Sequence, residues 1–396
     1  MQNAERKWRV AFVSSHPVPY HVPMYRALAT RPEVDLEVLY THDHGVKETF
    51  DAEFGRTVKF DVPLLEGYRH RFLRNIAPRP GFAFTGQINP ALSAAVARGE
   101  YDAVIVHGYA TLSTLAALVG PRGRRTKLLL RSETTLLAPR SAPKRVAKQV
   151  LIRALFKRVD HFLAIGTLSR KYFEAYGVRS ERITISPYTV DNTYFEEKSA
   201  RAREDRSAAR RRLGLPPEKP IFLFCSKMVQ HKRPLDVLHA FARSRLSGLA
   251  VLAYVGEGKQ MDELRAEVAR LGVGNDVQLL GFRNQSELPE IYGACDVFVQ
   301  ASERESWGMV VNEAMACGMA ICASDQVGSA YDLIQDNGAM FPVGDIDRLA
   351  ALMADWARAP DRIQRMRESS LRRIHEWTVD HTVDGIVSGV RAALAR

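Results

Sequence analysis

The sequence predicts an α/β protein made of two doubly wound parallel sheets. Runs of apolar, often β-branched residues alternate with runs of helical periodicity, and this alternation occurs in each half of the chain. A charged segment, 196–219, separates the two halves. The length of 396 residues suffices for two or three domains, each with its own core.

In the first half, the two kinds of run follow one another as in successive βα units. The predicted strands are 9–15, 34–40, 101–107, 127–131, 161–165 and 183–186, and the predicted helices are 22–30, 111–118, 144–158 and 167–176. Because successive βα units place their strands in parallel, we expect a doubly wound domain over residues 1–195.

The second half repeats the pattern. Its predicted strands are 221–226, 250–255, 277–280, 296–300 and 320–323, and its predicted helices are 235–244, 261–271, 287–294 and 310–317. We therefore predict a second domain over 220–377, joined to the first by the linker 196–219. The last helical pattern, 378–394, is expected to cross back, so that 378–396 belongs to the first domain. Since ligands bind at the carboxyl ends of the strands in such folds, we expect the site in a cleft between the domains.

Composition is that of an ordinary globular protein, with 46% apolar and 26% charged residues. No uncharged apolar run approaches the roughly 18 residues of a membrane span, and the polar N-terminus shows no signal peptide. The four cysteines lie among apolar neighbours without the spacing of a metal or redox motif. We therefore expect a cytoplasmic protein whose cysteines are reduced and buried.

The net charge of +11 lies entirely in the first half. Residues 1–200 contain 30 Lys and Arg against 19 Asp and Glu, whereas residues 201–396 contain 26 of each kind. The excess concentrates in the basic region 122–158, where Glu133 is the single acid and positions 146, 150, 152, 155 and 156 form an apolar stripe at helical spacing. This pattern fits a helix lying on the anionic inner face of the plasma membrane, and it fits equally a solvated helix whose stripe is core. Nucleic acid is not expected as a partner, because the region lacks interleaved aromatic residues.

Two carboxylates flank a predicted helix start. The strand-like run 296–300 leads into a turn containing Gly308 and then into a helix-like run that stops near Gly318. Such a helix start offers free amide groups and a positive dipole end, where a phosphate can bind. Glu305 and Glu313 are separated by roughly 12 Å along a helix. This exceeds the ~5–9.5 Å of a glycosidase acid–base pair, so we expect the two to hold the ends of an elongated ligand.

Several short motifs follow one another along the second half. They are Ser226-Lys227-Met228, Lys232-Arg233-Pro234, Gly256-Glu257-Gly258, Leu280-Gly281-Phe282, the run 294–302, the stretch 305–313 and Asp336-Asn337-Gly338. In this order and spacing they resemble the retaining glycosyltransferases of family 4, whose GT-B fold consists of two facing Rossmann-like domains. The first half resembles the family less distinctly, through its strand–helix rhythm and the segment 187–191. In that family the first domain receives the acceptor, so the resemblance leaves the acceptor open.

The resemblance implies that the second domain binds a nucleotide-sugar donor. Lys227 and Lys232 match the two basic positions that neutralise the diphosphate, although Lys227 stands where the family usually has Arg and gives up bidentate geometry. Glu305 matches the residue that engages hydroxyls of the transferred sugar. Glu313 matches the residue that accepts hydrogen bonds from the ribose.

Further positions are implied to contact the donor. The amide groups of the helix start would meet the diphosphate, and two residues after the third strand would border the nucleobase. The whole donor-binding set beyond Glu313 is Ser306, Trp307, Gly308, Met309, Val310, Gly256, Phe282 and Arg283. Trp307 is explained equally well by packing and by shaping the sugar pocket.

One position departs from the family pattern. Many members carry a His after the fifth strand of the first domain, where this chain has no His in 130–135. Arg131 or His107 is the candidate replacement, and His107 is explained as well by burial in the core. His16 and Tyr20, in the loop after the first strand, are candidates for acceptor contacts.

The function that this resemblance implies is transfer, with retention, of a sugar from a UDP- or GDP-sugar to a glycan or lipid-linked acceptor in polysaccharide or glycolipid assembly. Two lysines and a helix N-terminus can stabilise the departing diphosphate, so we expect no cofactor and no metal. A GT-B-like nucleotide-sugar epimerase would use a similar pocket. A degenerate, non-catalytic transferase that serves as a binding protein is the third alternative.

Overall fold

The structure is a computed structural model that describes residues 6–46, 49–51, 56–58, 60–137 and 142–396. For 49–51, 56–58 and 142–148 only the course of the backbone is considered. The chain divides into two compact units. Unit 1 contains residues 1–48, 63–188 and 379–396, and unit 2 contains residues 49–62 and 189–378.

Strands and helices alternate along most of the described chain. The strands are β1 (Trp8–Ser14), β2 (Val34–Tyr40), β3 (Thr49–Asp51), β4 (Arg56–Val58), β5 (His70–Phe72), β6 (Ala103–His107), β7 (Lys127–Ser132), β8 (His161–Ala164), β9 (Ile183–Ile185), β10 (Ile221–Cys225), β11 (Val251–Val255), β12 (Val277–Leu279), β13 (Val297–Gln300), β14 (Ala320–Ser324) and β15 (Gly338–Phe341). The helices are α1 (Val22–Ala29), α2 (Pro90–Arg98), α3 (Leu112–Val119), α4 (Ala142–Phe156), α5 (Thr167–Ala175), α6 (Asn192–Glu204), α7 (Arg206–Arg212), α8 (Pro234–Arg243), α9 (Met261–Leu271), α10 (Leu288–Ala294), α11 (Met309–Ala316), α12 (Ala330–Leu333), α13 (Ile346–Ala357), α14 (Pro360–Ile374) and α15 (Val379–Leu394).

Unit 1 is built on a seven-stranded sheet with the order β5-β2-β1-β6-β7-β8-β9. All neighbouring strands are parallel. The inner strands are near-continuous apolar runs; residues 10–13 of β1, for example, are at most 1% exposed. Such runs form strands that helices cover on both faces. The strand order reverses between β1 and β6, and the carboxyl edge of a parallel sheet opens a ligand crevice at such a point.

Helix α15 completes unit 1 from the other end of the sequence. It packs against β8, β9 and α1 and buries an apolar face that includes Ile386 and Val390. Thr382 ties it to the loop after β9, because its hydroxyl donates a 2.8 Å hydrogen bond to the carbonyl oxygen of Pro187. Residues 379–396 are therefore an integral part of the unit that holds β1.

Unit 2 is built on a six-stranded sheet with the order β12-β11-β10-β13-β14-β15, again entirely parallel. Strands β10, β11, β13 and β14 are buried along their whole length. Its core includes the fully buried Trp356 of α13. The strand order reverses between β10 and β13, which places a second ligand crevice at the carboxyl edge of this sheet. The two parallel sheets confirm the predicted α/β class with two doubly wound sheets.

Most of the segment predicted to be the linker, 196–219, lies in α6 and α7. These helices pack against α10 and belong to unit 2, which begins at Thr189. The linker was predicted from the charged character of this segment. Two arginines of the segment pair with a buried acid, Asp296, which is 7% exposed. Arg210 donates a 2.6 Å hydrogen bond to Asp296, and Arg206 contacts the same carboxylate. Paired in this way, the charges can be buried without being left uncompensated.

A short excursion of the chain between β2 and β5 is grouped with unit 2. It contains the antiparallel pair β3 and β4 and ends at Asp61 and Val62. Asp61 accepts hydrogen bonds from the backbone N–H of Ser286, at 3.3 Å, and from its hydroxyl. The excursion is thereby attached to the loop that follows β12.

All four cysteines are buried and none forms a disulfide, as predicted. Within the described residues, no helix has the length and apolar character needed to cross a membrane.

Candidate functional site

The predicted donor-site residues of unit 2 lie where its strand order reverses. Strands β10 and β13 are neighbours, with Phe222 paired to Val297. The chain leaves β10 towards Lys227 and Lys232 and leaves β13 towards Glu305. Because the two strands are parallel, both loops emerge at the same edge of the sheet.

An ion pair joins these two loops. Lys232 Nζ contacts Glu305 Oε2, and the two side chains are only 16% and 20% exposed. Gln300, the last residue of β13, places its amide nitrogen 3.5 Å from the same oxygen. Limited exposure makes such a pair stronger than one on the surface. The structure therefore brings together the residues assigned to the diphosphate and to the transferred sugar.

Arg233 and Glu303 form a second connection between the same loops. Arg233 Nη1 lies 3.3 Å from Glu303 Oε2, and the Glu303 N–H donates a 2.9 Å hydrogen bond to the carbonyl of His231. Arg233 adopts a φ of 57°, a left-handed conformation that is uncommon for residues other than glycine. Its guanidinium also pairs with Asp236 at 2.6 Å, which fixes the start of α8.

Gly256 allows the loops after β10 and β11 to pack backbone against backbone. It has a φ of 131°, and a Cβ at this position would lie 1.9 Å from the carbonyl oxygen of Ser226. The Ser226 N–H donates a 3.0 Å hydrogen bond to Val255, and the Met228 N–H donates one of 2.9 Å to Glu257. The close contact positions Lys227, which is partly buried between Ser226 and Met228. The structure thus gives Gly256 a role in holding the loop that carries Lys227.

Gly308 forms the start of α11 in a left-handed conformation, with a φ of 92°. A Cβ here would lie 3.1 Å from Glu305 Cγ and 3.2 Å from Val327 Cγ1, so only glycine fits without displacing Glu305. The first-turn amides of Met309 and Val310 have no acceptor inside the helix. Together with the helix dipole they form a site where an anion can bind.

The loop between β13 and α11 is held by the turn after β14. Glu305 forms an isolated parallel bridge with Val327. Its N–H donates a 3.2 Å hydrogen bond to Gln326, and its carbonyl accepts one of 3.0 Å from Gly328. Ser306 is exposed in this loop. The backbone at Glu305 is therefore held on both sides of the side chain by these hydrogen bonds.

Glu313 is buried inside α11, with 1% exposure. Tyr292 donates a 2.9 Å hydrogen bond to its Oε2, and the Gln285 side-chain amide donates one of 3.2 Å to its Oε1. Burial raises the pKa of this carboxyl to about 7, although both hydrogen bonds act in the opposite direction. A carboxylate held in this way can accept hydrogen bonds from ligand hydroxyls, which is the role that the family resemblance implies for it.

Phe282 and Arg283 lie in the loop after β12 that also contains Gln285. Both are partly buried, and Arg283 Nη1 donates a 3.1 Å hydrogen bond to Glu287. Glu287 in turn accepts a 2.9 Å hydrogen bond from the N–H of Asn284. The loop that carries the predicted nucleobase residues is therefore linked to Glu313 through Gln285.

Trp307 packs inside unit 2 and is 3% exposed. Its indole N–H donates a 2.9 Å hydrogen bond to Asn312, and its ring lies 5.6 Å from that of Trp377. Of the two explanations that the sequence allowed, packing is the one that these contacts support. The assignment of the Trp307 side chain to the donor pocket stays a prediction beside this packing role.

In unit 1, His107 and Arg131 belong to one polar cluster at the carboxyl edge of the sheet. His107 ends β6 and is paired in register with Arg131 of β7. The Tyr188 hydroxyl lies 2.8 Å from His107 Nε2 and 3.3 Å from His21 Nε2, and it donates a hydrogen bond to Glu133. His107 Nε2 lies 3.2 Å from the same Glu133 oxygen. We name this group, His21, His107, Arg131, Glu133 and Tyr188, the Tyr188 cluster.

Arg131 is the fully buried member of this cluster. Its guanidinium lies 4.4 Å from the centre of the Tyr188 ring and donates a 3.2 Å hydrogen bond to the carbonyl of Ser186. Burial lowers the pKa of Arg131, while Tyr188, Tyr25 and Glu133 act to raise it. The guanidinium therefore stabilises the cluster from inside. The exposed group is Glu133, with a side chain that is 46% exposed.

His16 and Tyr20 lie in the loop between β1 and α1. His16 Nδ1 is 2.8 Å from the Ser15 hydroxyl, and its ring lies 4.9 Å from Phe82 and 5.3 Å from His44. Burial and the three histidines His44, His42 and His107 lower the pKa of His16 to about 4, so it is neutral at pH 7. Tyr20 is partly buried in the same loop. Both residues stand at the switch point of unit 1, where an acceptor contact was predicted.

Three ligand atoms of the Tyr188 cluster could converge on a cation. They belong to His21, His107 and Glu133 and lie within 4.8 Å of one another. The Tyr188 hydroxyl, however, is hydrogen-bonded to all three, and the buried Arg131 charge would repel a divalent ion. The arrangement therefore fits a hydrogen-bond network better than a metal centre.

The sequence contains one Asp-x-Asp pattern, Asp345-Ile346-Asp347. Its first carboxylate caps α13 by accepting a 2.8 Å hydrogen bond from the Arg348 N–H. Its second, 84% exposed, pairs with Arg243 at 2.8 Å. Both carboxylates therefore have structural partners at the start of α13.

Glu133, Tyr188 and His21 were not predicted as site residues from the sequence. These residues are distant in sequence and meet only because β6, β7, β8 and β9 are neighbours in the sheet. The available signal was the position of each residue. Glu133 directly follows β7, Tyr188 follows β9, and His21 precedes α1.

Two family models match the chain. The model described as "Glycosyl transferase 4-like domain" matches residues 6–189, and the model described as "Glycosyl transferases group 1" matches residues 205–373. Their boundaries follow the two units, and together they account for most of the chain.

Curated relatives are glycosyltransferases. A D-inositol 3-phosphate glycosyltransferase of Nocardia farcinica is 28% identical over 75% of this chain and 67% of its own length. A protein of the same name from Thermobispora bispora is 31% identical over 58% of this chain and 55% of its own length. The chain thus spans between about half and two thirds of the length of the relatives that it matches.

Solved glycosyltransferase structures share the fold. Anabaena HepE in complex with UDP superimposes with a TM-score of 0.71 at 19% identity, covering 98% of this chain and 100% of that one. Sucrose-phosphate synthase of Thermosynechococcus elongatus gives a TM-score of 0.73 at 16% identity, with the same coverage of both chains. Family models, relatives and fold agree with the motifs at the switch point of unit 2. The chain belongs to the GT-B glycosyltransferases of the family 4 type.

Proposed function

We propose that this glycosyltransferase moves a sugar, with retention of configuration, from a nucleoside diphosphate sugar to a glycan or lipid-linked acceptor in polysaccharide or glycolipid assembly. The observation that carries the proposal is the contact between Lys232 and Glu305 beside the start of α11. Glu313 lies further along the same helix and is hydrogen-bonded to Tyr292 and Gln285.

Each part of the donor would meet a different group of unit 2. The diphosphate would bind Lys232, Lys227 and the first-turn amides of α11, which supply positive charge and hydrogen-bond donors. The ribose hydroxyls would donate hydrogen bonds to Glu313. The hydroxyls of the transferred sugar would donate to Glu305, once the diphosphate competes with that carboxylate for Lys232.

The mechanism proposed is substitution on a single face of the sugar. The bond between the anomeric carbon and the diphosphate oxygen breaks, and the acceptor oxygen forms the new bond on the same face. The departing phosphate oxygen takes the proton of the acceptor hydroxyl. Lys232, Lys227 and the α11 start stabilise the negative charge that develops on the diphosphate, so the step needs neither an enzyme nucleophile nor a divalent metal.

The comparisons suggest the first substrates to test. HepE is described in complexes with UDP and with UDP-glucose, which makes uridine the first nucleoside to try on this chain. The curated relatives are named for D-inositol 3-phosphate, which makes that compound the first acceptor to try. A GDP-sugar remains the other donor class.

An anionic membrane surface is the second proposed partner, through the basic region. In the predicted apolar stripe, Ile152, Leu155 and Phe156 are core residues of unit 1, while the side chain at position 146 lies outside the described residues. Val150 and Leu151 are 65% and 69% exposed on α4. Exposed Arg153 and Lys157 follow them along the chain, and an apolar pair near bases suits an anionic lipid surface.

The proposal is tested by incubating the protein with a panel of UDP- and GDP-sugars and measuring free nucleoside diphosphate. We expect one donor to be consumed, and Lys232→Ala to abolish most of that consumption. Lys259→Ala, which removes an exposed lysine of the same unit, should leave it unchanged. Formation of an epimerised sugar would instead indicate an epimerase. Binding without consumption, in the presence of every acceptor tried, would indicate a non-catalytic protein.

A further inference from the structure

The Tyr188 cluster holds the carboxylate of Glu133 in one orientation. Within the described part of the chain, every hydrogen bond to this carboxylate ends on Oε1, where the Tyr188 hydroxyl and His107 Nε2 converge. Tyr188 is buried and its ring rests on the Arg131 guanidinium. Oε1 of Glu133 is thus fixed by the buried part of the cluster, while the side chain as a whole remains 46% exposed.

The carboxylate of Glu133 is ionised at neutral pH. Burial acts to raise its pKa, but the hydrogen bonds from His107 and Tyr188 and the charge of Arg131 outweigh burial and lower it. His21 is neutral, because burial, His107 and Arg131 lower its pKa well below the ordinary value. The exposed end of the cluster therefore presents a negative hydrogen-bond acceptor.

This chemistry selects a class of ligand. An ionised carboxylate accepts hydrogen bonds and donates none, so its partner must be a donor. A phosphate or carboxylate ligand would be repelled at this point, and a divalent cation would meet the Tyr188 hydroxyl and the buried Arg131 charge. A hydroxyl of an uncharged polyol has a donor and no charge.

We propose that Glu133 binds a ring hydroxyl of the acceptor, and that the acceptor presents an uncharged polyol or sugar ring to unit 1. The inference rests on the proposed transferase function in taking this ligand to be the acceptor. Glu133 is the binding residue, whereas Tyr188 and His107 position it. Glu133 thereby occupies the region where the family pattern has a histidine, directly after β7.

The test is binding of two uncharged probes, myo-inositol and methyl α-D-glucoside, measured by saturation-transfer NMR without any donor. We expect the wild-type protein to bind at least one of them saturably. Glu133→Gln, which replaces one acceptor oxygen by a donor group, should weaken that binding roughly tenfold, as expected when a hydrogen bond to a charged group is lost.

Two further variants separate recognition from a general effect on the fold. Glu181→Gln alters a carboxylate of unit 1 whose side chain is 56% exposed and pairs with Arg179, and it should bind the probes like the wild type. Tyr188→Phe keeps the carboxylate but removes the hydroxyl that holds it, and it should weaken binding by a smaller factor, about threefold. Equal binding by the wild type and Glu133→Gln would overturn the inference, and so would a wild-type protein that binds neither probe.

A UDP titration of the same samples distinguishes this inference from the proposed function. Glu133→Gln should bind UDP like the wild type, because Glu133 belongs to unit 1 and the nucleotide residues belong to unit 2. A wild-type protein that binds the polyol but neither UDP nor GDP would contradict the proposed function and leave the polyol site standing. The opposite result would contradict the polyol site alone.

Discussion

Lys232 Nζ contacts Glu305 Oε2, so the cation assigned to the diphosphate neutralises the anion assigned to the sugar. A bound diphosphate would compete with Glu305 for Lys232, because it carries more negative charge than one carboxylate. Glu305 would then be released to accept hydrogen bonds from the sugar hydroxyls. Under the proposed function, binding of the nucleotide and recognition of the sugar would be coupled through this pair.

The first prediction concerns Glu305. Glu305→Ala should lower donor turnover by roughly a hundredfold while changing UDP affinity less than about threefold, because Glu305 acts on the sugar and not on the nucleotide. Steady-state rates and a calorimetric UDP titration measure the two effects. The matched control is Glu290→Ala, whose side chain is 43% exposed and pairs with Arg212, and it should leave both quantities unchanged. Unchanged turnover in Glu305→Ala would show that the family motif has been misassigned.

The second prediction concerns Lys232 and the diphosphate. Lys232→Ala should weaken UDP binding by roughly tenfold or more, through loss of a charge-assisted contact. It should change the affinity for uridine, which has no phosphate, by much less. Competition binding of the two compounds measures the difference. Equal losses for UDP and uridine would contradict a role for Lys232 at the diphosphate.

The third prediction concerns the pH dependence of stability through Glu313. Burial raises its pKa from 4.5 to about 7 in the folded protein. Because the folded value is the higher one, this group contributes its full stability below the unfolded pKa, and that contribution is lost as the pH rises through about 7. Glu313→Gln cannot ionise, so its melting temperature should fall less than that of the wild type between about pH 5 and about pH 8. Parallel pH profiles would indicate that Glu313 titrates normally.

Nucleotide binding should depend on the same group. If the ribose hydroxyls donate to ionised Glu313, UDP affinity should rise with pH as the carboxyl loses its proton near pH 7. Glu313→Ala should weaken UDP binding by roughly tenfold and remove this pH dependence. Calorimetric titrations across the pH range measure both effects. A wild-type affinity that falls with rising pH would contradict the assignment.

The fourth prediction is that activity needs no divalent metal. Lys227, Lys232 and the start of α11 supply the positive charge that a metal would otherwise provide at the diphosphate. Donor turnover should therefore persist in EDTA at close to its original rate. Loss of turnover in EDTA, followed by recovery on addition of magnesium, would refute this mechanism.

The fifth prediction concerns the exposed apolar pair on α4. If Val150 and Leu151 enter an anionic bilayer, the protein should sediment with phosphatidylglycerol vesicles and not with phosphatidylcholine vesicles. The double substitution Val150→Asp and Leu151→Asp should abolish sedimentation. Leu249→Asp changes a residue of unit 2 that is 55% exposed, and it should have no effect. If sedimentation depended neither on lipid charge nor on the double substitution, the proposed membrane binding through α4 would be contradicted.

Much of the fold was predictable because long buried strands are continuous apolar runs. Strands β1, β6 and β13 stand out in the sequence for this reason. The edge strand β5 was missed, since it has three residues and none of them is buried. Helix α14 was missed as well. Most residues of α14 are polar, and only one face of the helix, which includes Ile363 and Met366, is buried.

The site was predictable where its residues are close in sequence. Glu305, Gly308 and Glu313 form one motif, and the structure gives each a position that the motif explains. The Tyr188 cluster was not predictable in this way. His107, Glu133 and Tyr188 are close together only because of the order of the strands in the sheet. A local sequence pattern does not show which strand ends are neighbours.

The central claim is that unit 2 binds a nucleotide-sugar between Glu313 and the Lys232–Glu305 pair. A crystal structure of the protein with UDP tests it most directly. We expect the ribose hydroxyls within hydrogen-bonding distance of Glu313, the diphosphate on Lys232 and the first-turn amides of α11, and the contact between Lys232 and Glu305 broken. A nucleotide bound elsewhere, or bound here with Glu313 touching no ribose oxygen, would contradict the account.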